Sequence, residues 1–146
     1  MSGTIVAIAR RGASRAPMEE VEATTISVDA GVEGDLRGEP GDRQVTILTR
    51  ESWDAACSEL GERLSWTTRR SNIFIAGLRV EGQLGRTVQI GDVELAITGE
   101  TDPCSRMEEQ AAGLRQALAV DWRGGVTCRV LKSGSIRVGD RVEFAS

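Results

Sequence analysis

Residues 88–97 read VQIGDVELAI, with Val88 and Ile90 before Gly91-Asp92 and Val93, Leu95 and Ile97 after it. Alternation of apolar and polar side chains with period two marks a strand that buries one face. Gly-Asp between the two runs is what a two-residue hairpin turn with glycine at its first central position requires. A strand kinked at a bulge would use the same glycine. The pattern returns near the end of the chain as IRVGDRVEF, Ile136 to Phe144, and carries the same two readings.

Outward from these segments, Thr4 to Ala9, Glu22 to Val28, RQVTILT at Arg43 to Thr49, NIFIA at Asn72 to Ala76 and GGVTCRVL at Gly124 to Leu131 all read as strands. Between Ala30 and Asp42 the run GVEGDLRGEPGD is too rich in Gly, Asp and Pro for a regular element, and such loops are where binding residues gather. Helical spacing appears twice. Glu51 to Leu60 aligns Trp53, Ala56, Cys57 and Leu60 and ends at Gly61; Pro103 to Val120 aligns Met107, Ala111, Leu114 and Leu118, with Gly113 in its middle. Short strands at this density predict a mainly β chain, a closed β-barrel with two inserted helices, because closure removes exposed edges. At 146 residues one domain over 1–146 is expected.

Composition narrows the chemistry. A net charge of −4 disfavours a general nucleic-acid binder. Lys132 is the sole lysine, so the other positive side chains are guanidiniums, planar forks suited to phosphate and carboxylate; a simple bias towards arginine gives the same count. No apolar run is long enough for a membrane span, and the opening MSGTIVAIARRG lacks the form of a secretory signal, which makes a cytoplasmic location the expectation. Histidine is absent altogether, excluding Ser-His-Asp and Cys-His catalysis and leaving sulfur and carboxylates as metal ligands. The three cysteines lack paired spacing, so a zinc site made from them is weakly supported.

Cys57 sits on the Trp53/Leu60 face and Cys128 alternates with arginine beside Val126 and Val130, both at core spacing. Cys104 differs. In Thr101-Asp102-Pro103-Cys104-Ser105-Arg106, Asp102 suits an N-cap and Pro103 the first helical position, which places Cys104 in the first turn. There free backbone N–H groups and Arg106 favour a thiolate, while Asp102 and Glu108 oppose it. Its spacing from Met107 also permits a buried packing role.

The order of these features resembles the MOSC family, found at the end of molybdenum-cofactor sulfurases and in amidoxime-reducing proteins. The resemblance runs from about Gly31 to Phe144 through GVEGD at 31–35, RQVTIL at 43–48, Arg70-x-Asn72-Ile73, Asp102-Pro103-Cys104, Arg123-Gly124-Gly125 and the late GSIRVGDRV. It implies a barrel similar to that of pyruvate kinase and a cleft for the molybdenum cofactor, a molybdopterin. Cys104 then falls on the family's metal-binding, catalytic cysteine, and Arg70, Asn72, Arg123, Gly124 and Gly125 fall near the pterin or its phosphate, with Arg37 or Arg43 as a different polar contact. Many relatives carry a histidine just after Gly-Asp in the first loop; here the residues are Gly34-Asp35-Leu36-Arg37. The resemblance implies a reductase of small N-hydroxylated or N-oxidised substrates, fed by a partner reductase because no dinucleotide or iron–sulfur motif is present. The alternatives are a sulfur carrier whose Cys104 persulfide is charged by a cysteine desulfurase, and a non-catalytic cofactor binder. A pyridoxal phosphate role is not expected, although Lys132 is available for a Schiff base.

Overall fold

The computed structural model describes residues 1–146. Strands β7 (Thr87–Ile90) and β8 (Val93–Glu100) pair antiparallel with Ile90 opposite Val93. Gly91 and Asp92 therefore form a two-residue hairpin turn, with Gly91 at φ 58°. The second Gly-Asp segment behaves otherwise. Its halves, β10 (Gly134–Arg137) and β11 (Arg141–Phe144), never pair with each other: β10 joins β3 (Ala23–Ser27), and β11 joins β7 and β1 (Ser2–Arg10).

Neither a hairpin nor a single bulged strand forms there: the segment is a corner between sheets. Its turn spans four residues, with the Asp140 N–H donating to the Arg137 carbonyl at 3.0 Å and the Arg137 N–H donating to the Asp140 carboxylate at 2.8 Å. Gly139, at φ 95°, occupies the third position of an unprimed turn, a geometry that splays the flanking strands.

With β9 (Val126–Lys132), β5 (Val45–Thr49) and β6 (Ile73–Ala76), the main sheet runs β11-β7-β8-β9-β5-β6-β1, and β1 returns to β11. Seven strands thus close into a barrel. The short β2 (Glu19–Val21) hangs on the far end of β1, and β10, β3 and β4 (Gly31–Val32) make a separate three-stranded sheet. Alternation sends Ile5, Ile47, Ile73, Ile75, Val88, Ile90, Leu95 and Cys128 into one core. Each buried isoleucine or leucine contributes roughly 2 kcal/mol relative to exposure.

Strands β5 and β6 lose the alternation because both faces are covered. They are a parallel pair, which requires a crossover, and the crossover is α1 (Arg50–Leu60) followed by a 3₁₀ turn (Trp66–Arg69). Leu48, Phe74 and Ala9 thereby meet Trp53, Ala56, Met107, Leu114 and Leu118 in a second core, where Trp66 stacks on Phe74 at 4.9 Å. Helix α1 starts and stops as expected. The Thr49 hydroxyl accepts the Ser52 N–H, and Gly61 takes the left-handed conformation at φ 69°. The buried Glu81 carboxylate, which sequence reasoning passed over, accepts from the Thr49 and Ser52 hydroxyls and fixes that helix end.

The long helix expected over Pro103 to Val120 is broken into α2 (Ser105–Gln110) and α3 (Leu114–Leu118), so the barrel carries three short α-helices. Gly113 at φ 85° makes the break, and the Glu108 carboxylate accepts its N–H at 2.8 Å. The apolar stripe survives: Met107, Leu114 and Leu118 are all buried. No helix is long and apolar enough to cross a membrane.

Cys57 and Cys128 are buried in separate cores, which rules out the three-cysteine zinc site. Complete burial pushes the Cys128 thiol far above its ordinary value of 9.0. The folded chain then keeps a proton that the unfolded chain releases, so stability is fully present below pH 9 and declines as pH rises beyond it. The decline should approach about 1.4 kcal/mol per pH unit. Urea unfolding of Cys128→Val should lack this alkaline slope; an unchanged slope would assign it to other groups.

Candidate functional site

Residues just after β1 and just before β6, together with Thr46 of β5, line a common cavity. Asn72, almost fully buried, closes its floor: its side-chain oxygen accepts from the Thr46 N–H at 3.1 Å and the Thr46 hydroxyl at 3.2 Å, and its amide donates to the Ala9 carbonyl at 3.2 Å. The Asn72 side chain thus spends its bonds holding three strands together.

Above this floor the loop at 33–37 folds across the end of β1. The Asp35 carboxylate accepts the Arg11 N–H at 3.0 Å and the Arg37 N–H at 3.2 Å, and the Leu36 N–H donates to the Arg11 carbonyl at 2.7 Å. On the opposite wall, Arg69 of the 3₁₀ turn is buried, donating from Nε to the Gly124 carbonyl at 3.0 Å and from Nη2 to the Thr101 carbonyl at 2.8 Å. Burial lowers its pKa, and the charges of Cys104 and Asp102 work against that lowering.

These bonds explain where the helix mouth differs from expectation. The Thr101 N–H donates to the Gly125 carbonyl at 2.9 Å while Arg69 holds the Thr101 carbonyl, so the chain stays extended through Pro103. Cys104, rather than Asp102, becomes the N-cap of α2, at φ −117° and ψ −179°, with its carbonyl accepting the Met107 N–H at 2.9 Å. Its thiol makes no capping bond and is exposed. The packing alternative for Cys104 therefore fails.

The resulting cavity, about 240 Å³, is lined by Cys104, Arg43, Arg70, Asn72 and Gly124 from the expected set. Arg11, Arg37, Arg69 and Arg106 join them, with Thr101, Asp35, Asp102, Met18, Leu36 and Met107. Two expected residues lie elsewhere. Arg123 pairs with Glu59 at 2.8 Å and donates to the Ala117 carbonyl, tying α1 to α3. Gly125 is buried at φ 99° with its backbone against Ile47. Lys132 ends β9 and does not line the cavity.

Arg11 is the residue that sequence reasoning missed outright. The β1–β6 register, with Ile8 opposite Ile73 and the Ala9 N–H bonded to the Asn72 carbonyl, carries the end of β1 towards Arg70. Only three buried side-chain nitrogen or oxygen atoms lack a partner: Arg11 Nη1, Arg70 Nη1 and Thr101 Oγ1. All three belong to residues lining this cavity. A larger hollow of about 660 Å³ beside α1 is lined by only one basic residue, Arg63, and by Cys57, which is buried.

A closed barrel with an arginine-lined cavity and one accessible thiol is the class of protein that fold and site define. The family model described as "MOSC domain" matches residues 22–143, and the chain belongs to that family, one linked to the molybdenum cofactor. The barrel is similar to the crystal structure of the YUAD protein from Bacillus subtilis, at 17% identity and a TM-score of 0.82, covering 99% of this chain and 96% of that one. YiiM from Geobacillus stearothermophilus matches at 18% identity and a TM-score of 0.79, over 99% of this chain and 75% of its own. YiiM from Escherichia coli matches at 17% and 0.73, over 98% and 70%. No curated protein matches the chain.

Proposed function

We propose that the chain holds a molybdenum cofactor in this cavity through Cys104 and reduces small N-hydroxylated compounds there. The observation that carries this is the coincidence of the one exposed cysteine with all three unpartnered buried polar atoms. A buried donor without a partner costs about 1–3 kcal/mol, and a ligand supplying acceptors recovers it. Arg11 and Arg70 suit the phosphate of a pterin, and Thr101 a further polar atom.

No group of three His, Cys, Asp or Glu side chains converges anywhere in the chain. A metal at Cys104 would therefore need its remaining donors from a cofactor, and thiolate is the soft ligand a heavy metal prefers. When bound, the cofactor supplies the two-electron exchange of oxygen between an N–OH group and water. The chain orients it: Arg69 fixes the segment from Thr101 to Cys104 against Gly124, while Asp35 holds the loop at 33–37 over the other wall. Electrons come from a partner reductase, since no residue in the cavity is redox-active apart from the thiol.

The test is turnover of an aryl amidoxime by cofactor-loaded protein with dithionite as electron donor. Each amidoxime should take up two electrons and two protons and yield one amidine and one water. Failure of loaded protein to form amidine would sink the reductase assignment. A persulfide found only on Cys104 after incubation with a cysteine desulfurase would instead favour sulfur carriage, for which an accessible thiol is equally suited.

A further inference from the structure

The cavity holds more positive charge than a pterin phosphate uses. Six arginines line it, Arg11, Arg37, Arg43, Arg69, Arg70 and Arg106, in a chain whose net charge is −4. None forms an ion pair: the four salt bridges of the molecule involve Arg10, Arg123, Arg129 and Arg141. Only two carboxylates share the lining. Asp35 is occupied by backbone N–H groups, and Asp102, two residues before Cys104, forms no ion pair.

Arg69 is committed to two carbonyls, and the buried donors of Arg11 and Arg70 are matched by one phosphate. Arg37 and Arg43 remain exposed on the lining, with no side-chain hydrogen bond to the rest of the chain. Arg37 stands beside Leu36, and both follow Asp35 on the loop that bends over the entrance. Guanidiniums left free of ion pairs draw anions locally to that point.

We propose that the substrate is itself an anion: an N-hydroxylated compound bearing a phosphate or carboxylate that Arg37 receives, with its apolar body against Leu36 and Met18. Arg37 is then a specificity-determining residue. This inference rests on the substrate class proposed above and adds the charge of the substrate to it.

Binding separates the two claims, because it needs no reductant. Calorimetry on cofactor-loaded protein would compare an uncharged aryl amidoxime with its para-carboxylate and para-phosphonate. The anions should bind about ten-fold more tightly at low salt, the scale of one or two partly screened ion pairs, and lose most of that advantage at high salt. In Arg37→Gln the ratio should fall towards one. The Arg37 N–H to Asp35 bond is a backbone bond, so the variant keeps the loop's anchor. A gain confined to the phosphonate identifies a phosphoryl substrate, and one confined to the carboxylate an acid. Equal binding of all three compounds, an anion preference that survives in Arg37→Gln, or loss of molybdenum from that variant would overturn the proposal. Failed turnover with an intact anion preference would instead remove only the reductase assignment.

Discussion

The Cys104→Ala chain, purified from a host that makes the cofactor, is expected to carry only background molybdenum while unfolding in urea almost where the parent does. Removing a hydrogen-bond partner of a metal-bound side chain already costs 10- to 100-fold in affinity, so loss of the proposed ligand itself should cost at least about a hundred-fold. The fold should hardly notice. The thiol is exposed, makes no capping bond and belongs to neither core, so the change in stability should stay within about 0.5 kcal/mol. Metal analysis alongside pterin fluorescence after oxidation provides the measurement. Stoichiometric molybdenum in the variant would take the metal away from Cys104, and with it the proposed function.

A large effect on stability is expected at Gly125, where a close backbone contact and a left-handed φ coincide. A Cβ added there would meet the Ile47 carbonyl oxygen at 2.5 Å, backbone of β5 in the barrel wall, and φ is +99°. The left-handed conformation alone costs a non-glycine residue about 1–2 kcal/mol, and the contact cannot be relieved by turning a side chain. Gly125→Ala should therefore lose more than about 3 kcal/mol, a large share of the 5–15 kcal/mol typical of a domain. Gly91→Ala is the matched control: φ is +58°, but nothing lies within 4 Å of the added carbon. It should lose only about 1 kcal/mol. Comparable urea midpoints for the two variants would show that β9 moves freely against β5 at this point. The glycine pair of the Arg-Gly-Gly motif thus has a packing reason independent of any ligand, and Gly124 has one too, since its Cβ would meet the Thr101 carbonyl at 2.4 Å.

Local patterns in the sequence were sufficient wherever a single element decided the outcome. Val88 to Ile97 is a hairpin, Thr49 to Gly61 is a capped helix, and Cys57 and Cys128 are core residues, because alternation, capping and apolar neighbours are all properties of a few adjacent residues. The segment Ile136 to Phe144 repeats the hairpin pattern yet turns a corner, since its two halves are claimed by strands far away in the chain. Pairing partners leave no mark on nine residues. Likewise the helix break at Gly113 needed the Glu108 carboxylate to fix it, and the shift of the N-cap from Asp102 to Cys104 needed Arg69 reaching from another element. Within the site, motif residues such as Cys104 and Arg70 could be picked out through family resemblance. Arg11 could not, because its place follows from the register of β1 on β6 rather than from its neighbours.

The barrel is shut by β1 meeting β11, with Ser2, Gly3 and Thr4 opposite Glu143, Val142 and Arg141. A ribosome makes the first of these strands long before the second, so throughout synthesis the nascent chain carries an unzipped seam. Strand β1 must wait, with one row of amides unanswered, until residues 141–144 clear the exit tunnel.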